Sequence, residues 1–348
     1  MKIGKSLEKS SAFIDRRVSV APMMDWTDRH CRYFLRCISP NVLLYTEMIT
    51  AMALLRGDRE RLLRFDPAEH PVALQLGGSE PDDLAVAARL GEQYGYDEIN
   101  LNCGCPSDKV QRGSFGACLM AEPARVADCV AAMRSAVRIP VTVKMRIGTV
   151  TGGTAQTAAD VQKFDAADYD ALCGFVAAVA QAGCEVAIVH ARKAVLGGWS
   201  PKDNRDVPPL RYDAVWRLRQ DFPALTMIVN GGVRRAEEAV AMLEHCDGVM
   251  LGREAYHRPL VLAEIDRLLA SGSSDSPPVS VGAVLNRMAD YAELEMSRGE
   301  RLASITRHML GLVTHSAGAR EYRRMLSEGA RVPGAGPELI RRAAVQFS

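Results

Sequence analysis

Short apolar runs alternate eight times with helical stretches, and the chain then ends in about eighty residues of helical spacing alone. Polar side chains gather where the runs stop. Together these features predict an α/β fold: a TIM (β/α)8 barrel followed by a small C-terminal α-helical domain. The runs are nearly continuous, as parallel strands are when both faces are covered. Eight strand–helix units in about 250 residues is the length such a barrel takes.

In order, VSVAP (18 to 22) precedes TDRHCRYFLRCI, and NVLLYTE (41 to 47) precedes MITAMALLRG. PVALQLGG (71 to 78) precedes PDDLAVAARLGEQYG, and EINLNCGCP leads through a long loop to PARVADCVAAMRSAV. The second half reads PVTVKMRIG with ALCGFVAAVAQAG, EVAIVHAR with YDAVWRLRQDF, TMIVNGG with AEEAVAMLEHC, and GVMLGRE with PLVLAEIDRLLA. A doubly wound sheet normally carries a glycine-rich first turn, and VSVAPMMDWTD has none. Residues 149 to 170, after the fifth strand, are polar and rich in small residues and read as a long loop, mobile or lid-like. SGSSDSPP (271 to 278) reads as a linker between a catalytic domain of residues 1–270 and a helical domain of 279–348. In that tail AVLNRMADYAELEMSRG and TRHMLGLV have helical spacing. Residues 298 to 331 hold seven arginines against three glutamates, which suits either a solvated face or a nucleic-acid surface.

The net charge of +1 supplies no global field for a polyanion, so any such surface is a local patch. The N-terminus carries charges but no apolar core of a signal peptide, and no run is long enough to span a bilayer. Nine cysteines, an odd number without a C-x-x-C pair, read as reduced thiols of a cytoplasmic protein. No His, Cys or Asp spacing matches a zinc or iron–sulfur site, and no metal is expected.

In such barrels the chemistry sits at the C-terminal strand ends. Those ends carry Pro22, Met23 and Met24, then Glu47, Gln75, Asn100, Asn102 and Cys105, then Lys144 and Arg146, His190 and Arg192, Asn230, Gly231 and Gly232, and Gly252 and Arg253. NGG and GR offer unobstructed backbone N–H groups for a phosphate, as in FMN or a sugar phosphate. Lys144 suits a developing negative charge such as that of a reduced flavin, and Gln75 suits the imide edge of one. A cysteine side chain in general is mainly a thiol at neutral pH, and Cys105 stands where the fourth strand ends. It suits either an acid that protonates a carbanion next to a carbon receiving hydride, or a nucleophile.

The stretches APMMDWTDRHCRYF, LQLGG, NLNCGCPSDKVQRGSFGACLM, VTVKMRIG, HARKA, SPKDNRDVPPL, VNGGV, LGREAYH and RHMLGL with GAREYRRMLSE closely resemble the tRNA-dihydrouridine synthase family, in its DusA branch. The resemblance implies a flavoprotein that uses bound FMN, reduced by NADPH, to convert uridine to dihydrouridine at positions 20 and 20a of the tRNA D-loop. It makes Cys105, directly before Pro106, the donor of a proton to C5 after hydride reaches C6. Pro22, Met23 and Met24, by backbone, with Gln75, Lys144 and His190 would hold FMN. Asn230, Gly231, Gly232, Gly252 and Arg253 would hold its phosphate. Asn102 would position the uracil, and Lys202, Arg205, Arg320 and Arg323 would contact tRNA. No dinucleotide-binding fingerprint is present, so NADPH would dock transiently on the flavin face. Cys103 stands where the family commonly has an aliphatic residue and reads as a small buried hydrophobe. A reductase of a free pyrimidine or other small activated alkene would need the same strand ends but leaves the arginine-rich tail without a use.

Overall fold

The computed structural model describes residues 14–107, 110, 113–154, 156–270, 279–314 and 317–347. The barrel strands are Val18–Val20, Leu44–Tyr45, Val72–Gly77, Glu98–Cys103, Val141–Arg146, Val186–His190, Thr226–Asn230 and Gly248–Leu251. Each pairs in parallel with the next from the second strand to the eighth, and the eighth pairs with the first from Val18↔Val249 to Val20↔Leu251. The ring closes between the first two strands, where Val20 N–H donates to the Leu43 carbonyl at 2.9 Å and Leu43 N–H to the Val18 carbonyl at 3.1 Å. The TIM barrel expected from the apolar rhythm is therefore what the chain folds into.

Side chains alternate between the two faces of every strand. Along the fourth strand Ile99, Leu101 and Cys103 face the helices and join the main core. Glu98, Asn100 and Asn102 face the barrel interior and are buried as well. The interior has two walls. One is apolar, with Val186, Ile188, Ile228 and Met250 from strands six to eight. The other is polar, with Tyr45, Gln75, Glu98, Asn100, Asn102 and Thr142 from strands two to five.

Residues 149 to 170 are not the open loop expected. Thr149–Thr151 pairs in parallel with Ala194–Leu196, a helix covers Thr157–Gln162, and the next, Ala166–Gln181, starts inside the segment. Val150, Val161 and Val195 bury a small core of their own beneath Trp199. The expected linker, 271 to 278, lies outside the described residues.

Beyond it are helices Val281–Ser297, Leu302–Thr306, Ala319–Ser327 and Glu338–Gln346. The expected helix TRHMLGLV is instead a run of turns after Thr306. Tertiary contacts override its spacing: Arg307 and His308 both reach Asp28, at 2.9 and 3.0 Å. A Cβ on Gly311 would lie 2.4 Å from the His257 carbonyl oxygen, so backbone presses on backbone there.

The tail helices pack against helix Arg29–Ile38 of the barrel. Tyr33 stacks on Tyr291 at 4.0 Å, and His30 Nδ1 lies 2.8 Å from Tyr291 Oη. Arg29 and Arg64 converge on Glu295 at 3.1 and 3.2 Å. One apolar core runs through both parts, from Phe34 and Leu35 to Leu285 and Met288. Among the described residues, no helix is long and apolar enough to cross a membrane.

Candidate active site

The loop that follows the fourth strand is anchored by its backbone. The N–H groups of Gly104 and Cys105 both donate to Asn102 Oδ1 at 3.0 Å. Arg146 Nε donates to the Gly104 carbonyl at 3.2 Å, and Ala117 N–H to the Cys105 carbonyl at 2.9 Å. All four backbone polar groups of these two residues are thereby satisfied. The half-buried Cys105 thiol projects from a fixed frame, 3.5 Å from Ser107 Oγ. Cys103, two residues earlier, is fully buried on the helix-facing side, where burial and then Cys129 hold its thiol protonated. The two thiols thus sit in different environments, because the pleat stops at Cys103.

Asn102 is itself held. Its Nδ2 donates to Gln75 Oε1 at 2.8 Å, and Gln75 Nε2 donates to Asn100 Oδ1 at 2.7 Å. Each amide nitrogen carries two N–H groups and spends one here. The second on each has no partner among the described residues.

Beside these donors lies a bank of positive charge on strands five to eight. Lys144 Nζ donates to Asn230 Oδ1 at 3.0 Å. Burial, followed by the nearby Arg146, pulls the ammonium down to about 7. Burial and the neighbouring Arg146 and Lys144 push His190 well below its ordinary value, so its ring is neutral at pH 7. Arg253 pairs with Asp206 at 2.7 Å. Arg192 has its Nε buried without a partner among the described residues. A buried guanidinium N–H without an acceptor is costly unless a ligand supplies one. Cys105 lies within electrostatic reach of Lys144, Arg146 and Arg205.

Gly231 and Gly232 follow the seventh strand with φ of 115° and 78°. A Cβ on Gly231 would lie 2.6 Å from the His190 ring, and one on Gly232 would lie 2.4 Å from Leu210 Cδ1. Backbone alone fits there. Backbone N–H groups of glycines at such a strand end suit phosphate oxygens.

Other residues singled out in the sequence take distinct positions. Asn230 has both ends of its amide engaged, by Lys144 and by the Met250 carbonyl at 2.7 Å, so it supports the lysine. Met23 N–H donates to Thr27 Oγ1 at 2.9 Å, and its carbonyl accepts from Thr27 N–H at 2.9 Å. That turn leaves Pro22 and the exposed Met24 at the barrel mouth. Gly252 precedes a short helix, Arg253–His257. Lys202 and Arg205 are exposed, bracketing the start of helix Asp203–Asp206. Arg320 and Arg323 are exposed on helix Ala319–Ser327.

Arg146 as anchor of the thiol loop was not foreseen, nor was the polar wall of Glu98, Asn100 and Thr142. Their signal was available as polar residues at every second position inside apolar strands. Among the described residues one group has the spacing of metal ligands, His30, Glu295 and Glu300. Guanidinium groups of Arg29 and Arg64 already hold its carboxylates.

The dihydrouridine synthase family model matches residues 19–346. The chain belongs to the dihydrouridine synthase family. Proteins named tRNA-dihydrouridine(20/20a) synthase are similar along nearly its whole length. That of Escherichia coli strain K12 is 53% identical over 338 residues, covering 97% of this chain and 93% of the relative. Those of Vibrio cholerae and Xanthomonas campestris pv. campestris are 52% and 51% identical, covering 95% and 97% of this chain and 96% of each relative. Dihydrouridine synthases are flavin-dependent oxidoreductases that act on tRNA, which makes this chain an enzyme of that class. In this dihydrouridine synthase the anchored thiol, the paired amides and the cationic bank all lie toward the C-terminal ends of the barrel strands.

Proposed function

We propose that this chain reduces uridine to 5,6-dihydrouridine at positions 20 and 20a of the tRNA D-loop, with FMN as bound cofactor and NADPH as reductant. The observation that carries the reading is the Cys105 thiol, whose loop is held by four hydrogen bonds to its backbone groups and which lies within electrostatic reach of Lys144, Arg146 and Arg205. The donor set fits FMN. Arg192, Arg253 and the bare backbone of Gly231, Gly232 and Gly252 suit its phosphate. Gln75, Lys144 and the neutral His190 suit its ring, with Pro22, Met23 and Met24 at the edge and Asn230 supporting Lys144.

Bound FMN, once reduced by NADPH, would supply the hydride that C6 of the uracil receives. Cys105 Sγ holds the proton that C5 takes, and the fixed loop keeps that acid at one place. Asn102 offers its remaining N–H to a uracil carbonyl oxygen. Lys144 in its protonated state stabilises negative charge in a buried setting, where a cation acts more strongly than in water.

A uridine stacked inside a folded loop must be swung out to reach the barrel mouth. Lys202, Arg205, Arg320 and Arg323 would hold the surrounding phosphates. Residues 1–270 would then form the catalytic domain and 279–348 a tRNA-gripping helical domain, in a cytoplasmic protein.

The test is incubation of the purified protein with NADPH and unmodified tRNA, followed by mass spectrometry of the digested RNA. D-loop uridines should gain the mass of two hydrogens while free uridine does not. A gain on free uridine alone would identify a small-molecule reductase instead.

A further inference from the structure

The polar wall of the barrel is a chain of hydrogen bonds that all point one way. Asn102 Nδ2 donates to Gln75 Oε1, and Gln75 Nε2 to Asn100 Oδ1, at 2.8 and 2.7 Å. Asn100 Nδ2 donates to Thr142 Oγ1 at 2.8 Å, and the Thr142 hydroxyl to Glu98 Oε1 at 2.7 Å. Every member from Gln75 down is buried, with Asn100, Thr142 and Glu98 fully so.

The direction follows from the last member. Glu98 lies at the floor of the barrel, where Arg16 donates to Oε2 through Nε and a terminal nitrogen at 3.0 and 2.7 Å. Tyr45 donates its hydroxyl to Oε1 at 2.6 Å. An ionised carboxylate accepts and cannot donate. Thr142 must therefore turn its proton toward Glu98, which leaves its oxygen lone pairs for Asn100. Asn100 must present its NH2 to Thr142 and its carbonyl to Gln75. Gln75 must present its carbonyl to Asn102, and Asn102 is left with its own carbonyl facing the N–H groups of Gly104 and Cys105. Reversing any amide would set donor against donor in a buried place, which is costly.

We propose that Glu98 and Thr142 are positioning residues: through this one-way chain the carboxylate at the barrel floor sets the amide orientation that anchors the Cys105 loop and turns N–H donors toward the ligand. The proposal rests on the assignment of this mouth as the reaction site and extends it by two residues that touch no ligand. It also gives the chemical class that the two amides recognise. Gln75 and Asn102 each keep one N–H for the ligand, so they select carbonyl oxygens over N–H or amino groups.

The direct test is hydrogen exchange, read by mass spectrometry on the peptide containing Gly104 and Cys105. It compares the wild type with Thr142→Val, Thr142→Ser, Glu98→Gln and the Glu98→Gln/Thr142→Val double variant. Thr142→Val removes the hydroxyl at nearly constant volume, and exchange of these two amides should quicken. Thr142→Ser keeps the hydroxyl and should restore slow exchange.

Dihydrouridine formation should fall on the order of 100-fold in Thr142→Val, as expected for misplaced reacting groups. The double variant should be no slower than the slower single variant, because both changes cut one chain. Unchanged exchange in Thr142→Val, or losses that multiply in the double variant, would overturn the proposal. If Glu98→Gln fails to fold, the Thr142→Val and Thr142→Ser pair decides alone. A wild type that forms no dihydrouridine but shows the predicted exchange pattern would count against the assigned reaction and leave the chain of bonds standing.

Discussion

Lys144 Nζ lies 3.0 Å from Asn230 Oδ1 and pairs with no carboxylate among the described residues. A buried lysine held only by a neutral amide is disfavoured in its charged form, and burial followed by Arg146 brings it from 10.5 to about 7. The unfolded chain then binds more protons than the folded one between those values. The penalty that Lys144 places on the stability of the flavin-free protein should therefore fall as pH goes from about 7 toward 10, since a group contributes a rise wherever its unfolded state holds more protons. Denaturant titrations across that range should show the stability of the wild type gaining on that of Lys144→Met as pH rises. Equal slopes in the two proteins would remove Lys144 as its source.

Glu295 ties the tail to the barrel by accepting from Arg29, Arg64 and Arg298 at 3.1, 3.2 and 2.8 Å. Burial works to raise its pKa, but hydrogen bonds from Arg298 and Arg29, with the charges of Arg29 and Arg64, together hold it below 4.5. A lowered carboxylate contributes stability that is present above its unfolded value and lost as pH falls through the folded one. Glu295→Ala should cost about 1–3 kcal/mol at pH 7, because the largely buried Arg29 loses one of its two carboxylates and keeps only Glu300. The penalty should shrink below about pH 4. Thermal melts at the two pH values measure it.

Gly231→Ala tests the phosphate place. Its φ of 115° is outside the range that L side chains favour, and the new Cβ would meet His190 at 2.6 Å. The strain should cost about 1–3 kcal/mol. The purified variant should carry less flavin per chain than the wild type, measured by its visible absorption after denaturation. Full occupancy would place the cofactor phosphate elsewhere.

Arg320 and Arg323 stand exposed, with no ion pair among the described residues, on a helix whose Tyr322 and Leu326 face the core. Replacing both by Glu should leave stability within about 0.5 kcal/mol. Binding of tRNA should weaken, and its dependence on log salt should become shallower by about one for each phosphate that the helix no longer neutralises. An unchanged salt slope would remove this helix from the tRNA surface.

Much of this was legible from residue patterns, for reasons visible in particular elements. Runs such as LQLGG and EINLNC announced parallel strands because their outward residues meet helices. The strand ends collected the mouth because strand ends are where a barrel's side chains leave the packed core. The pairing of Thr149–Thr151 with Ala194–Leu196 was not legible, since three-residue strands far apart in the chain have no periodicity of their own. The turns after Thr306 were hidden for another reason: Asp28 captures Arg307 and His308 from a different part of the fold. The one-way chain to Glu98 needed the register that sets Asn100 beside Gln75 and Thr142.

The central claim is that the Cys105 thiol, fixed by its loop, supplies the proton that completes uridine reduction. Cys105→Ala leaves all four backbone anchors of the loop in place and should fold and bind flavin as the wild type does. The decisive measurement is the dihydrouridine content of unmodified tRNA after incubation with NADPH and each protein, by mass spectrometry of the digested RNA. The account predicts that the wild type converts D-loop uridine and that Cys105→Ala, with flavin bound, is slower by about 100-fold or more, as for loss of a general acid. Conversion by Cys105→Ala at the wild-type rate would contradict it.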